Sequence, residues 1–387
     1  MTFLFFIWGF LTEMDGALIP FLKDLFALSN FQAALVQFAF FLAFFLFSFP
    51  SARILDRLGY RKGIALGLLI MACGSFGFIA AGYFGQYAWF LVAIFSLAGG
   101  VTILQVAANP YMVALGGEDK GSNYLNIAQG FNAGAKVLAP LFGAWAILKG
   151  MEVLSSEARI ERISWVYLGI GLVLALAALL YRIVKLPEVV PTEDQEEEES
   201  HHSYRDFPHL LRGAFAIFCY VGVEVSIATF LVLYLGEAQG LSRADGALYL
   251  SYYWAALMLG RLFIPFLLPK VAAQKVLFWF ALAAGLAILF AGLGNSWGAW
   301  ALVACGFFHS IMWGNIFALS LRKLGTFTSK GSGLLVMAIV GGALIPPLQG
   351  LVADQIGLAT SYLSLLPAYA YLLWFAWKGF RPKHIDL

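Results

Sequence analysis

The sequence predicts an all-α membrane protein: twelve transmembrane helices forming two pseudo-symmetric six-helix bundles. Three observations carry this. The 387 residues are 61% hydrophobic and only 12% charged, whereas soluble domains are about a quarter charged. Apolar runs near 20 residues, the length that crosses a bilayer, recur along the whole chain. One acidic, Pro-punctuated stretch divides those runs into two sets of six.

The spans fall at 2–27, 31–55, 62–82, 87–115, 123–149, 163–185, 209–236, 243–269, 274–293, 298–324, 329–353 and 359–379. The first holds Trp8-Gly-Phe-Leu-Thr-Glu13-Met-Asp15-Gly16-Ala-Leu-Ile-Pro20. A carboxylate at mid-bilayer costs about 2.5–3.5 kcal/mol on insertion scales. Such residues face polar cavities and act on ions, protons or solutes. Pro20 has no N–H, so the Gly16 carbonyl loses its helical partner and becomes a free oxygen beside the acids. The run lacks a basic leader and a small-residue cleavage site, so we expect a true span and not a signal peptide.

Between spans two and three lies Ser51-Ala-Arg-Ile-Leu-Asp56-Arg57-Leu-Gly59-Tyr-Arg61-Lys62. Asp56 is suited to cap a neighbouring helix and pair with the arginines, and Gly59 to turn the chain tightly. This is a gating and packing device. Span four offers Gln105 and Asn109, one turn apart on one face. Span five offers Asn126, Gln129, Asn132 and Lys136 on one stripe. Amides give donors and acceptors to vicinal hydroxyls, which suits a sugar cavity; they also serve as glue between spans. Lys136 sits mid-span and needs an anion, which Glu13 or Asp15 supplies. Those two lie about 200° apart on an ideal helix, so one lysine serves one of them. The pair is either a coupling device or a fixed tie between spans one and five.

Residues 186–207 are acidic and cannot bury a core. They are expected to be a cytoplasmic linker between an N-terminal bundle, 1–185, and a C-terminal bundle, 208–387. Span seven carries Tyr220 and Glu224, and span ten carries His309, Trp313 and Asn315. An indole offers an apolar platform to a pyranose and an N–H to its hydroxyls. Tyr252, Tyr253 and Trp254 of span eight are weaker cavity candidates. Gly333, Gly341, Gly342, Pro346 and Pro347 suit close packing and bending in span eleven.

The halves repeat each other. Gly9 and Gly222, Ser29 and Ser242, and Lys62 and Lys275 share one separation of about 213 residues. Most Lys and Arg flank one set of span ends, which places both termini in the cytoplasm. Net charge is +2 and no basic nucleic-acid patch stands out. Cys73, Cys219 and Cys305 lie in apolar runs and imply no disulfide framework. No phosphate-binding loop, paired-cysteine metal site or nucleophile elbow occurs, so an enzyme, a metal or another cofactor is not expected.

Parallel six-span repeats describe the major facilitator architecture, with a central site between the halves, and the loop Asp56-Arg57-Leu-Gly59-Tyr-Arg61 resembles that superfamily's. Ala107-Ala-Asn-Pro-Tyr111, Leu125-Asn-Ile-Ala-Gln129 with Phe131-Asn132, Phe218-Cys-Tyr-Val-Gly222, Ile316-Phe317 and Gly341-Gly342 are more specific. On these, nearly the whole chain resembles the fucose–galactose–glucose:proton symporter family. The resemblance implies a bacterial inner-membrane sugar carrier that takes sugar and a proton inward by alternating access. There are departures. The family's span-one Leu-Asn-Asp aligns with Met14-Asp15-Gly16, so the acid sits one residue earlier and Glu13 is additional. Gln105 replaces the span-four glutamate of the fucose branch, and Glu224 its span-seven glutamine. Lys136 stands where relatives carry a small or hydroxyl residue.

The resulting expectation is a monomeric hexose importer. Asp15, Glu13 and Lys136 would couple it to protons, while Gln105, Asn109, Gln129, Asn132, Glu224, His309, Trp313 and Asn315 would bind sugar. Sodium coupling through Asp15, Thr12 and the Gly16 carbonyl, an uncoupled facilitator and a non-transporting solute sensor are the alternatives.

Overall fold

The computed structural model describes residues 1–28, 30–148, 153–184, 203–239, 243–267, 270–294 and 297–382. Most of the expected linker, 186–202, lies outside them, as do several side chains within helices, including those of Asp15, Gly16 and Pro20.

The described chain is helical almost throughout. Nine of its helical stretches are long and apolar enough to cross a membrane, and the difference from twelve has three causes. Spans two and three run together as Asn30–Phe84, broken at Gly59, where φ is 73°. That left-handed backbone is open to glycine at no steric cost; it is the tight turn the sequence implied. Span five, joined to span four across Gly117 within Tyr87–Gly143, carries too many amides for its hydropathy to reach that of a lipid-facing helix. Span one is split into Thr2–Glu13 and Asp15–Phe26.

That split falls at Met14, between the two acids and six residues ahead of Pro20. Met14 keeps right-handed helical backbone, and its N–H donates to Phe10 O at 3.2 Å and Leu11 O at 3.3 Å. Span ten is also broken, into Gly298–His309 and Met312–Ser320. Ser310 N–H donates to Phe307 O at 3.2 Å, a tightened turn. In span eleven, Thr328–Met337 and Gly341–Ile356 flank a short 3₁₀ turn. Spans six to nine are Ser156–Ile183, Pro208–Gln239, Arg243–Leu267 and Ala273–Gly292. Pro208 opens span seven, where its missing N–H costs nothing.

Packing repeats with the sequence. Gly9 lets span one approach span five: a Cβ there would lie 2.5 Å from Asn132 Nδ2 and 2.6 Å from Asn132 O. Its counterpart Gly222 lets span seven approach span eleven, against Ile345. Spans 1–5 and 7–11 are equivalent pairs, as the common separation requires.

The halves meet tightly at the end that carries the Asp56 loop. Asn126 Nδ2 donates to Asn315 Oδ1 at 2.9 Å, and Ser122 Oγ bonds the same oxygen. Ser332 Oγ donates to Val106 O at 3.0 Å. A Cβ on Gly333 would lie 2.9 Å from Ser48 O, so spans two and eleven touch through backbone. Asp56 faces Ser329 and Lys330 of the other half, whereas the sequence suggested arginine partners on its own loop. Arg61 instead donates to Arg182 O at 2.8 Å, tying the loop to the end of span six. Arg57 is exposed.

Candidate functional site

A cavity of about 490 Å³ lies between the halves, above this seal. That size suits a small-molecule ligand. From the N-terminal half, spans four and five contribute Gln105, Gln129, Asn132 and Lys136, and span one contributes Trp8, Thr12 and Glu13. The C-terminal half contributes Glu224, Trp254, Arg261 and Trp313. The polar stripe of span five is therefore real in space. Gln129, Asn132 and Lys136 of that stripe reach the cavity, and polar residues within a span face such a space.

Two ion pairs line the cavity among the described residues, one in each half. Lys136 Nζ lies 3.1 Å from Glu13 Oε1. Of the two acids the sequence offered, Glu13 pairs with it; the side chain of Asp15 lies outside the described residues. The ammonium also sits 4.7 Å from the ring centroid of Trp254, across the divide. Such a cation–π contact is worth about 0.5–2 kcal/mol. In the other half, Arg261 Nη2 lies 3.9 Å from Glu224 Oε1. Arg261 Nε donates to Ser310 O at 3.0 Å, and Nη1 reaches Gln129 O of the opposite half at 3.4 Å.

The amides differ in how free they are. Asn132 Nδ2 donates to Phe5 O at 3.1 Å, so it ties span one as well as facing the cavity. Gln129 Nε2 reaches Asn109 Oδ1 at 3.5 Å. Asn109 is fully buried behind it, its own Nδ2 without a partner among the described residues. Trp313 stacks on Phe317 with centroids 4.8 Å apart, which fixes its indole at the cavity wall.

Three expected ligand residues sit elsewhere. Asn109 backs Gln129 and does not line the cavity. Asn315 is in the seal; it also donates to Ala273 O at 3.2 Å. His309 is fully buried behind Glu224. Its Nδ1 is 2.9 Å from Tyr253 OH, its Nε2 2.7 Å from Tyr369 OH, and its carbonyl accepts from Tyr220 OH at 3.1 Å. A ring with both nitrogens so engaged anchors three helices and has nothing left for a ligand. Trp313, one turn further along span ten, lines the cavity where His309 does not. Asp15, the remaining coupling candidate, has its side chain outside the described residues.

Arg261 is the residue the sequence reading passed over as a candidate ligand. It is the one charged residue in the apolar run 246–267, and the reasoning applied to Lys136 would have found it. Trp254 joins the cavity, whereas Tyr253 packs on His309 and Tyr252 is exposed.

The Major Facilitator Superfamily profile matches residues 1–338. The chain belongs to this superfamily. It is 39% identical over 383 residues to the glucose/galactose transporter of Brucella abortus, covering 98% of this chain and 93% of that one. It is 31% identical over 402 residues to the L-fucose-proton symporter of Escherichia coli K12, covering 98% and 92%. The resemblance read from Ala107–Tyr111 and Leu125–Asn132 is thus borne out along the whole chain. Among solved structures, the superfamily transporter FucP in the outward conformation superposes with a TM-score of 0.86 at 30% identity, covering 97% of this chain and 96% of that one. The proton:xylose symporter XylE shares the fold, with a TM-score of 0.79 at 11% identity and coverage of 97% and 94%.

Proposed function

We propose that this superfamily member imports a hexose or related sugar together with a proton, its two halves rocking about the central cavity. It is a transporter and not an enzyme. The observation that carries the reading is the composition of the cavity wall. Amides from spans four and five face two indoles, and a lysine–carboxylate pair lies within the same space. Its relatives' names, glucose/galactose transporter and L-fucose-proton symporter, support the substrate class and the coupling ion.

Sugar hydroxyls exchange hydrogen bonds with Gln105, Gln129, Asn132 and Glu224, and the ring lies on Trp313. Protonation of a span-one carboxylate, Glu13 or Asp15, removes its charge attraction to Lys136. Lys136 loosens from Glu13, its contact with Trp254 changes, and the loaded halves reorient. On the inner side the proton leaves and the pair re-forms. Lys136 already supplies a fixed positive charge where a sodium ion would sit, which favours the proton.

Domain limits of 1–185 and 208–387, with an acidic cytoplasmic connection between them, fit this movement. So does a monomer in a bacterial inner membrane with cytoplasmic termini. The sealed end carries Arg53, Arg57, Arg61, Lys62, Lys120, Arg322, Lys323 and Lys330, the cytoplasmic signature, and the cavity then faces outward. A second reading, an uncoupled facilitator, is favoured by the fact that Glu13 and Glu224 both have ionic partners. Counterflow of labelled glucose, galactose, mannose and fucose in proteoliposomes tests the substrate class. Exchange of at least one is expected; sugar binding without any exchange would leave a sensor.

A further inference from the structure

A second cavity, of about 670 Å³, lies on the other side of the Ser122–Asn126–Asn315 seal and shares no lining residue with the first. Lys120 and Asn123 line it from the N-terminal half, and Lys270, Gln274, Arg322 and Lys323 from the C-terminal half. Four cations converge there, and none of its lining residues among those described is a carboxylate. Orientation in the membrane requires only that basic residues flank the spans. It does not require them to face one another across the cleft between two moving halves. The Gln274 amide oxygen is buried in this wall without a hydrogen-bond partner among the described residues, and such an atom calls for a donor. The main chain at Arg322 is anchored by its carbonyl, 2.8 Å from His209 Nε2.

We propose that this cleft is a regulatory site for a phosphorylated hexose, resting on the reading above that the sealed end is cytoplasmic and the protein imports sugar. The phosphate monoester engages the lysines and Arg322, as charge-assisted bonds favour, and a sugar hydroxyl donates to Gln274. Phosphoryl transfer to the imported hexose is the class of reaction that supplies this ligand, on this side. A dianion held by Lys120 in one half and by Lys270, Arg322 and Lys323 in the other ties the halves together. It binds the outward-facing state alone, so it slows transport by mass action. At ten times its dissociation constant the free fraction, and with it the transport rate, falls about tenfold.

The test uses the purified full chain with glucose 6-phosphate as probe. Melting temperature is measured in detergent, and sugar counterflow in neutral phosphatidylcholine liposomes with the probe on both faces. Glu118 and Asp119 adjoin Lys120 in sequence, so the variants are made in the other half: Lys270→Gln with Lys323→Gln, and the charge-preserving Lys270→Arg with Lys323→Arg. Glucose 6-phosphate is expected to raise the melting temperature saturably and to slow counterflow about tenfold. The Gln pair should lose both effects while keeping phosphate-free exchange, and the Arg pair should keep both. The proposal is overturned by no effect on the wild type, or by an effect unchanged in the Gln pair. Equal stabilisation by inorganic phosphate would make this a free-phosphate site and overturn the sugar-phosphate assignment. Displacement by phosphatidylglycerol would make this a lipid-headgroup site, which also overturns it. Absence of counterflow in every liposome would sink the transport reading, while the melting measurement still decides the site.

Discussion

Asn315 holds the two halves together in this state, so Asn315→Ala should shift the conformational equilibrium. Its Oδ1 accepts from Asn126 Nδ2 at 2.9 Å and from Ser122 Oγ, both in the opposite half. Its Nδ2 bond to Ala273 O at 3.2 Å lies within one half; it is present in both states and cancels. Each inter-half bond contributes about 0.5–1.5 kcal/mol net. Losing two therefore costs the outward-facing state about 1–3 kcal/mol, a shift of about 5–150-fold toward inward-facing. Pulsed dipolar distances between spin labels at the exposed Tyr124 and Lys275 read this directly, with Cys73, Cys219 and Cys305 replaced. The longer separation should gain population in the alanine variant. An unchanged distribution together with a weakened sugar affinity would refute the reasoning. Asn315 would then be a sugar ligand, as the sequence suggested.

The cavity supports four further outcomes. Lys136→Gln leaves Glu13 without its cation in a half-open site; it should lower unfolding stability by about 1–3 kcal/mol. Adding Glu13→Gln should restore most of it, which a double-mutant cycle of chemical denaturation measures. Gly9→Ala puts a methyl 2.5 Å from Asn132 Nδ2. It should destabilise by about 1–3 kcal/mol through overpacking and depress uptake, readable as a lowered melting temperature. Glu224→Gln loses the partner of Arg261 and a charged acceptor for sugar, so half-saturation in counterflow should rise about tenfold or more with little change in maximal rate. Asp15→Asn should abolish gradient-driven accumulation and spare exchange; full accumulation by that variant would remove Asp15 from the coupling path.

Much of the fold was legible because the bilayer imposes simple rules. Span lengths, the Gly59 turn and the half-to-half repeat all follow from hydropathy, one left-handed residue and one separation. The Lys136–carboxylate pair was legible because a mid-membrane ammonium must have a partner. Two kinds of feature were not. Helix phase is readable only while the helix is regular. Span ten tightens at Ser310–Ile311, and His309 packs on Tyr253 and Tyr369 while Trp313, one turn on in sequence, lines the cavity. Division of labour along one stripe was also hidden. In span five, Asn126 seals the halves, Gln129 and Asn132 face the cavity, and Lys136 bridges to Trp254. The three amides look alike in sequence, because which of them meets the other half depends on how deeply the bundles interlock.

The central claim is that sugar movement is driven by protons through this cavity. Sugar uptake into proteoliposomes under an imposed inward proton gradient, with sodium absent, tests it most directly. The account predicts accumulation above equilibrium for at least one hexose, collapsing when a protonophore is added. Equilibration without accumulation would contradict it. Glu13–Lys136 and Glu224–Arg261 would then be fixed ion pairs lining the pore of a facilitator.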